Sequence, residues 1–279
     1  MSQIRNASDT TCKQLLRDGE CFADLCNALY FHGRQVIKPE NLISQENDVS
    51  TLIGKEALPM ETKRYRDIVR KASINGDYMI IGVEHQSTLD KNMIIRILNY
   101  DAQLYINQVE SGKEVRPVGS FVFYTGDKKW NAPVKLSNYF DIPEELKEYV
   151  NDWKIKVVDV KEIDTSKIKD EQTRYFIEAI QEMYKGNFEG LHRRIKMNRD
   201  NFIYAAIITG SLDLIRDLPE GDEIDMCEGM ERMAEGFRSE GRNEGREQGI
   251  LVGRSEGKLE EKRSTLKEQL EIKLGTISN

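Results

Sequence analysis

ETKRYRDIVRKASINGDYMIIGVEHQS, from Glu61 to Ser87, decides how this chain is read. Tyr65, Asp67 and Val69 alternate with Arg66, Ile68 and Arg70, a period of two that suits a strand. Asn75-Gly76 is a strong hairpin signal, because both loop residues of that turn take φ > 0. The next run, YMIIGVEHQ, is mostly apolar and β-branched and reads as a buried central strand. A two-residue loop fixes the register, and that register sets Asp67 opposite Glu84. Gln86 shares their face, since side chains alternate along a strand.

Two like charges facing each other across a sheet repel. They either stand in water as a solvated edge or hold a cation between them. The apolar run around Glu84 argues against full hydration. A hard divalent ion such as Mg²⁺ suits one or two carboxylates completed by water. A one-residue bulge would separate the pair.

These residues carry a family resemblance. Asp67 followed by Gly82-Val-Glu84-His-Gln86-Ser resembles the core of the PD-(D/E)xK nuclease superfamily. More narrowly it is similar to the Rpn group of recombination-promoting nucleases and transposase-like proteins. An earlier run, Phe22-Ala-Asp-Leu25 through Gln35-Val-Ile-Lys-Pro-Glu40, resembles the same group. The resemblance implies an α/β fold: a restriction-endonuclease-like mixed sheet flanked by helices, with a helical C-terminal extension. It implies a metal-dependent DNA endonuclease that hydrolyses phosphodiester bonds in recombination or transposition. Asp67 and Glu84 would be the metal ligands, with the backbone carbonyl of His85 as a further one. The ion would be Mg²⁺ or another divalent cation such as Mn²⁺ or Ca²⁺. Gln86 stands where the superfamily usually has Lys. A neutral amide cannot stabilise a developing oxyanion as an ammonium does, so Gln86 would orient the attacking water. The alternative is a catalytically silent nuclease-fold protein that binds DNA or self-assembles.

Composition sets limits on these expectations. The chain has 279 residues, 39% hydrophobic and 32% charged, with no apolar run long enough for a membrane span. Its beginning, MSQIRNASDT, lacks the apolar stretch of a secretory signal, so a cytoplasmic location is expected. Cys12, Cys21, Cys26 and Cys227 form no CxxC pair, and free thiols are expected in a reducing compartment. A net charge of −7 opposes binding to phosphates, which needs local positive charge. Lys63, Arg64, Arg66, Arg70 and Lys71 form one basic cluster that would rim the site or solvate an exposed face. Arg193, Arg194, Lys196 and Arg199 form another. Lys63, Arg66 and Arg96 are the residues assigned to nucleic-acid contact, with a structural ion pair as the alternative for Arg96.

Along the chain, Asp18 to Phe31 reads as a helix closed by Gly33, with Phe22, Leu25, Cys26 and Leu29 as its apolar stripe. Glu20 and Asp24 fall on the opposite side of the wheel and are expected in solvent. Asp90 to Glu110 reads as a helix capped by Asp90, with Met93, Ile97, Tyr100 and Leu104 buried. Val115 to Tyr124 reads as a strand parallel to that of Glu84, joined to it by this helix. Ile155 to Val160 reads as the last strand.

The expected division is a nuclease-like core over 1–165, a small helical subdomain over 166–225 and a helical tail over 226–279. In the tail, Gly241, Gly245, Gly249, Gly253 and Gly257 recur every four residues among Glu and Arg. Glycine weakens a helix by about 1 kcal/mol relative to alanine, so the repeat needs a compensating reason. Self-association of close-packed helices would provide one, the alternative being a poorly ordered charged tail; a homo-oligomer through the tail is the expected partner beside DNA.

Overall fold

The computed structural model describes residues 2–44, 67–74, 76–112, 114–186, 196–215, 218, 221–225, 246, 249–250 and 252–270. Two compact units divide the chain, Met1–Cys227 and Glu228–Asn279.

The first unit is built on a five-stranded sheet in the order β1-β2-β3-β4-β5. The strands are β1 (Ile43–Ser44), β2 (Ile68–Ile74), β3 (Asp77–Gln86), β4 (Val118–Tyr124) and β5 (Lys156–Asp159). β2 and β3 pair antiparallel with Ile68 opposite Val83 and Ile74 opposite Asp77, the register that a two-residue loop requires. Gly76 sits in the turn at φ +94°, a conformation costly for any side chain. Asn75 lies outside the described residues.

β4 runs parallel to β3, with Glu84 beside Val122 and Gln86 beside Tyr124. The crossover between them is helix α3 (Met93–Glu110). Its buried face is the expected one: Met93, Ile97, Tyr100 and Leu104 are all at most 8% exposed. Met93, Ile94, Ile97 and Tyr100 pack with Val122 and Ile155, so α3 covers the sheet face that carries Glu84. The helix begins later than Asp90. Asn92 is its N-cap residue, and Asp90 instead accepts from the Asn92 amide at 2.9 Å.

Two helices precede the sheet. α1 (Ser2–Arg17) was not foreseen, while α2 (Gly19–Phe31) was. Asp18 caps α2 by accepting from the Cys21 amide at 3.0 Å. Phe22, Leu25 and Cys26 are fully buried as the stripe requires. Cys12, Cys21 and Cys26 are buried and form no disulfide among the described residues. Burial pushes the Cys21 thiol up to about 12, so it stays a neutral, unreactive thiol.

One expectation for α2 fails. Asp24 is only 4% exposed, not solvated. Its carboxylate accepts from Gln35 Nε2 at 2.8 Å and from the amides of Lys169 and Asp170 at 2.7 and 2.8 Å. A wheel sees one helix and its own apolar face. It cannot see α4 (Glu171–Lys185) arriving with its unsatisfied N-terminal amides on the other side.

α2 ends with His32 in the left-handed region at φ 54°, followed by Gly33 at φ 82°. A Cβ at Gly33 would stand 2.7 Å from the carbonyl oxygen of Lys167. Gly33→Ala is therefore expected to cost about 2–3 kcal/mol, from backbone strain plus displacement of that carbonyl. A urea denaturation midpoint equal to wild type would contradict the assignment.

α4 packs against α5 (Arg199–Thr209), and α5 packs against α1. A two-stranded ribbon, β6 (Lys196–Asn198) with β7 (Glu223–Asp225), flanks them. In the second unit, residues 252–270 are helical and exposed throughout. Among the described residues, no helix is long and apolar enough to cross a membrane.

Candidate active site

The β2–β3 hairpin brings the candidate residues to one end of the sheet. Asp67 stands immediately before β2, and Glu84 lies two residues before the end of β3. Continuing the ladder one step past Ile68 and Val83 sets Asp67 opposite Glu84. Asp67 also reaches across with its side chain: Oδ2 accepts from the His85 amide at 2.7 Å. The carboxylate thus takes over the role of a strand carbonyl where the ladder ends.

Glu84 is 3% exposed, in the apolar layer between β3 and α3. A buried carboxylate is stable only beside a compensating charge. Arg96 supplies it from the first turns of α3, with Nη2 on Glu84 Oε1 and Nη1 3.1 Å from Asp90 Oδ2. Burial pulls the Arg96 pKa down, but Glu84, Tyr100 and Asp90 outweigh it, so the guanidinium is held charged. Arg96 also lines a cavity of about 610 Å³ with Asp90, Asn92, Ile95, Asn99 and Tyr100. Of the residues assigned to nucleic-acid contact, Arg96 stands at the site. Lys63 and Arg66 lie outside the described residues, as do Arg64, Arg193 and Arg194.

Gln86 is half-buried at the end of β3 on the Glu84 face. Its Nε2 donates to the Thr88 carbonyl at 2.9 Å and to Thr88 Oγ1 at 3.2 Å. With Nε2 taken up by Thr88, Oε1 is the acceptor end of the amide. The His85 ring lies on the opposite face of the sheet, 2.8 Å from Thr125 Oγ1. Only the backbone of His85 is at the site.

Arg70 does not belong to a nucleic-acid rim. It is 9% exposed, its guanidinium donates to the Arg17 carbonyl, and it lies over the Phe22 ring at 5.3 Å. It faces α1 and α2, on the side of the sheet away from Glu84. Strand alternation gave this signal: Arg70 and Asp67 are an odd number of residues apart.

A residue missed by the sequence reading completes the picture. Lys13 of α1 places Nζ 2.8 Å from Asp67 Oδ1. The available signal was Cys12, Leu15 and Leu16, an i, i+3, i+4 apolar cluster that marks α1 as a packed helix.

Residues 62–202 match the family described as "Putative transposase, YhgA-like". The chain belongs to this family. The YhgA-like family is part of the PD-(D/E)xK, Rpn-like group, and the five-stranded mixed sheet with flanking helices agrees with it. Membership supports a transposase- or nuclease-type role and DNA interaction. No curated protein and no solved structure matches the chain. The matched stretch holds Asp67, Glu84, Gln86 and Arg96, and leaves Lys13 outside.

The donors present fit a hard cation. Among the described residues, no three His, Cys, Asp or Glu side chains gather around one point where a metal could sit. Two carboxylates with a backbone carbonyl are the sparse oxygen set that Mg²⁺ accepts when water and substrate phosphate complete the shell.

Proposed function

We propose that this chain is a metal-dependent DNA endonuclease acting in transposition or recombination. The observation that carries the reading is the β2–β3 register, which sets Asp67 and Glu84 at one end of the sheet. Asp67, Glu84 and the His85 carbonyl would hold Mg²⁺ or a similar divalent ion such as Mn²⁺ or Ca²⁺. When bound, the ion supplies a more acidic water and offsets charge on the scissile phosphate. Gln86, held by Thr88 through Nε2, would accept a hydrogen bond from that water at Oε1 and so orient it. The new bond joins water oxygen to phosphorus. The bond that breaks is the phosphorus–oxygen bond to one sugar. One proton of the attacking water is passed by way of solvent to the departing alkoxide, leaving a phosphate monoester and a sugar hydroxyl. Arg96, paired with Glu84 and Asp90 at the edge of the cavity that it lines, would lie near the backbone of the DNA.

A second reading is favoured by one observation: Lys13 and Arg96 already neutralise the two carboxylates. A silent nuclease fold that binds DNA without cutting would look the same. Titration calorimetry with Mn²⁺ separates the two. The nuclease reading expects uptake by wild type that Asp67→Ala and Glu84→Ala both lose. Absence of uptake in wild type would favour the silent protein.

Self-association through the tail is part of the proposal. Val252, Leu259 and Leu266 recur every seven residues and are 54%, 54% and 60% exposed. Large apolar side chains on that spacing form one seam along a helix, as in coiled coils. A Cβ at Gly249, Gly253 or Gly257 would meet nothing within 4 Å, so these glycines leave room for another backbone. The chain is expected to sediment as an oligomer, and Leu259→Glu with Leu266→Glu as a monomer. Identical sedimentation would refute the seam.

A further inference from the structure

The proposed reaction needs more positive charge than Gln86 provides. An amide is neutral, and its Nε2 is committed to Thr88. Two other cations stand on the carboxylates. Arg96 is a planar fork clamped between Glu84 and Asp90. Lys13 is a compact ammonium on a flexible stem, 2.8 Å from Asp67 Oδ1, with its side chain 28% exposed. It comes from a different element, in a part of the chain outside the family match.

The placement of Lys13 is built into the fold. Its neighbour Cys12 and Leu16, one turn on, are fully buried. The end of the same helix is pinned where Arg70 donates to the Arg17 carbonyl. α1 is thereby fixed against β2 and β3, while the Lys13 side chain reaches the rim of the site. A fixed backbone with a partly exposed charge on a long stem suits an ammonium that changes partners.

We propose that Lys13 is an exchangeable counter-ion of the active site, resting on the metal-dependent reading above. With no divalent ion bound, its ammonium neutralises Asp67. With a divalent ion on the carboxylate, the Lys13 ammonium would be released by like-charge repulsion and would meet a non-bridging oxygen of the scissile phosphate instead. Lys13 would thus restore, from the N-terminal helix, the positive charge that Gln86 removes from β3.

The test uses the full chain with Mn²⁺ alone, then with supercoiled plasmid and Mg²⁺. Removing the competing cation is expected to tighten Mn²⁺ binding in Lys13→Gln by about 5- to 10-fold, while plasmid cleavage falls about 100-fold. Lys13→Arg is expected to recover most of the cleavage. A plain structural brace predicts otherwise: a lowered melting midpoint, and metal binding weakened or unchanged. Mn²⁺ uptake and cleavage by wild type, with Lys13→Gln indistinguishable in both, would overturn the role of Lys13 alone. A wild-type chain that neither binds Mn²⁺ nor cleaves would overturn the nuclease reading and this proposal with it.

Discussion

Glu84→Ala is expected to reduce Mg²⁺-dependent plasmid cleavage by at least about a thousandfold. The metal's contribution to phosphate chemistry is several kcal/mol, and each factor of ten is about 1.4 kcal/mol. Glu84 is the buried member of the pair, so its loss removes the ligand that water can least replace. The fold should survive. Arg96 keeps Asp90 at 3.1 Å and is one-third exposed, so its guanidinium is not left stranded. The stability change is expected to stay within about 2 kcal/mol. Asp67→Ala should match the loss of cleavage but cost slightly more stability, since the His85 amide loses its acceptor. Equal cleavage by wild type and both variants would assign the activity to a contaminant.

Asp24→Ala is expected to produce the largest loss of stability among single changes outside the apolar core. Asp24 ties three segments that are distant in sequence: α2, the Gln35 loop and the N-terminus of α4. Hydrogen bonds to a charged acceptor are worth about 1.5–3 kcal/mol each, and removal also orphans the Lys169 and Asp170 amides. Because these contributions are not additive, a total of roughly 4 kcal/mol is the reasonable expectation. For a unit of this size that lowers the melting midpoint by about 10 °C. Asp24→Asn, which keeps one acceptor oxygen, should recover part of it. A midpoint within 2 °C of wild type, read by circular dichroism, would show that Asp24 is solvated after all.

Asp24 also shows where sequence reasoning stops. The hairpin was legible because its information is local: a tight turn fixes the register, and the register fixes which residues face each other. The α3 stripe and the parallel crossover were legible for the same reason, one as a periodicity and the other as a chain-geometry rule. Asp24 and Lys13 were not. Each acts on a partner far along the chain, at Lys169 and Asp67, and neither periodicity nor motif encodes that meeting. Arg70 lies between these cases. It was grouped with its basic neighbours by composition, although the alternation of β2 already turned it to the other face. The placing of Asp67 and Glu84 at one end of the sheet was therefore readable, and Arg96 near them was singled out in the sequence; Lys13 was readable only from the packing of α1.

The proposed cleavage requires a single ion shared by Asp67 and Glu84. Anomalous scattering from crystals of the chain grown with Mn²⁺ locates such an ion directly. One peak is expected about 2 Å from a carboxylate oxygen of each residue, with the Lys13 ammonium moved off Asp67. A peak elsewhere, or none, with Lys13 still on Asp67 and Arg96 still on Glu84, would contradict that requirement.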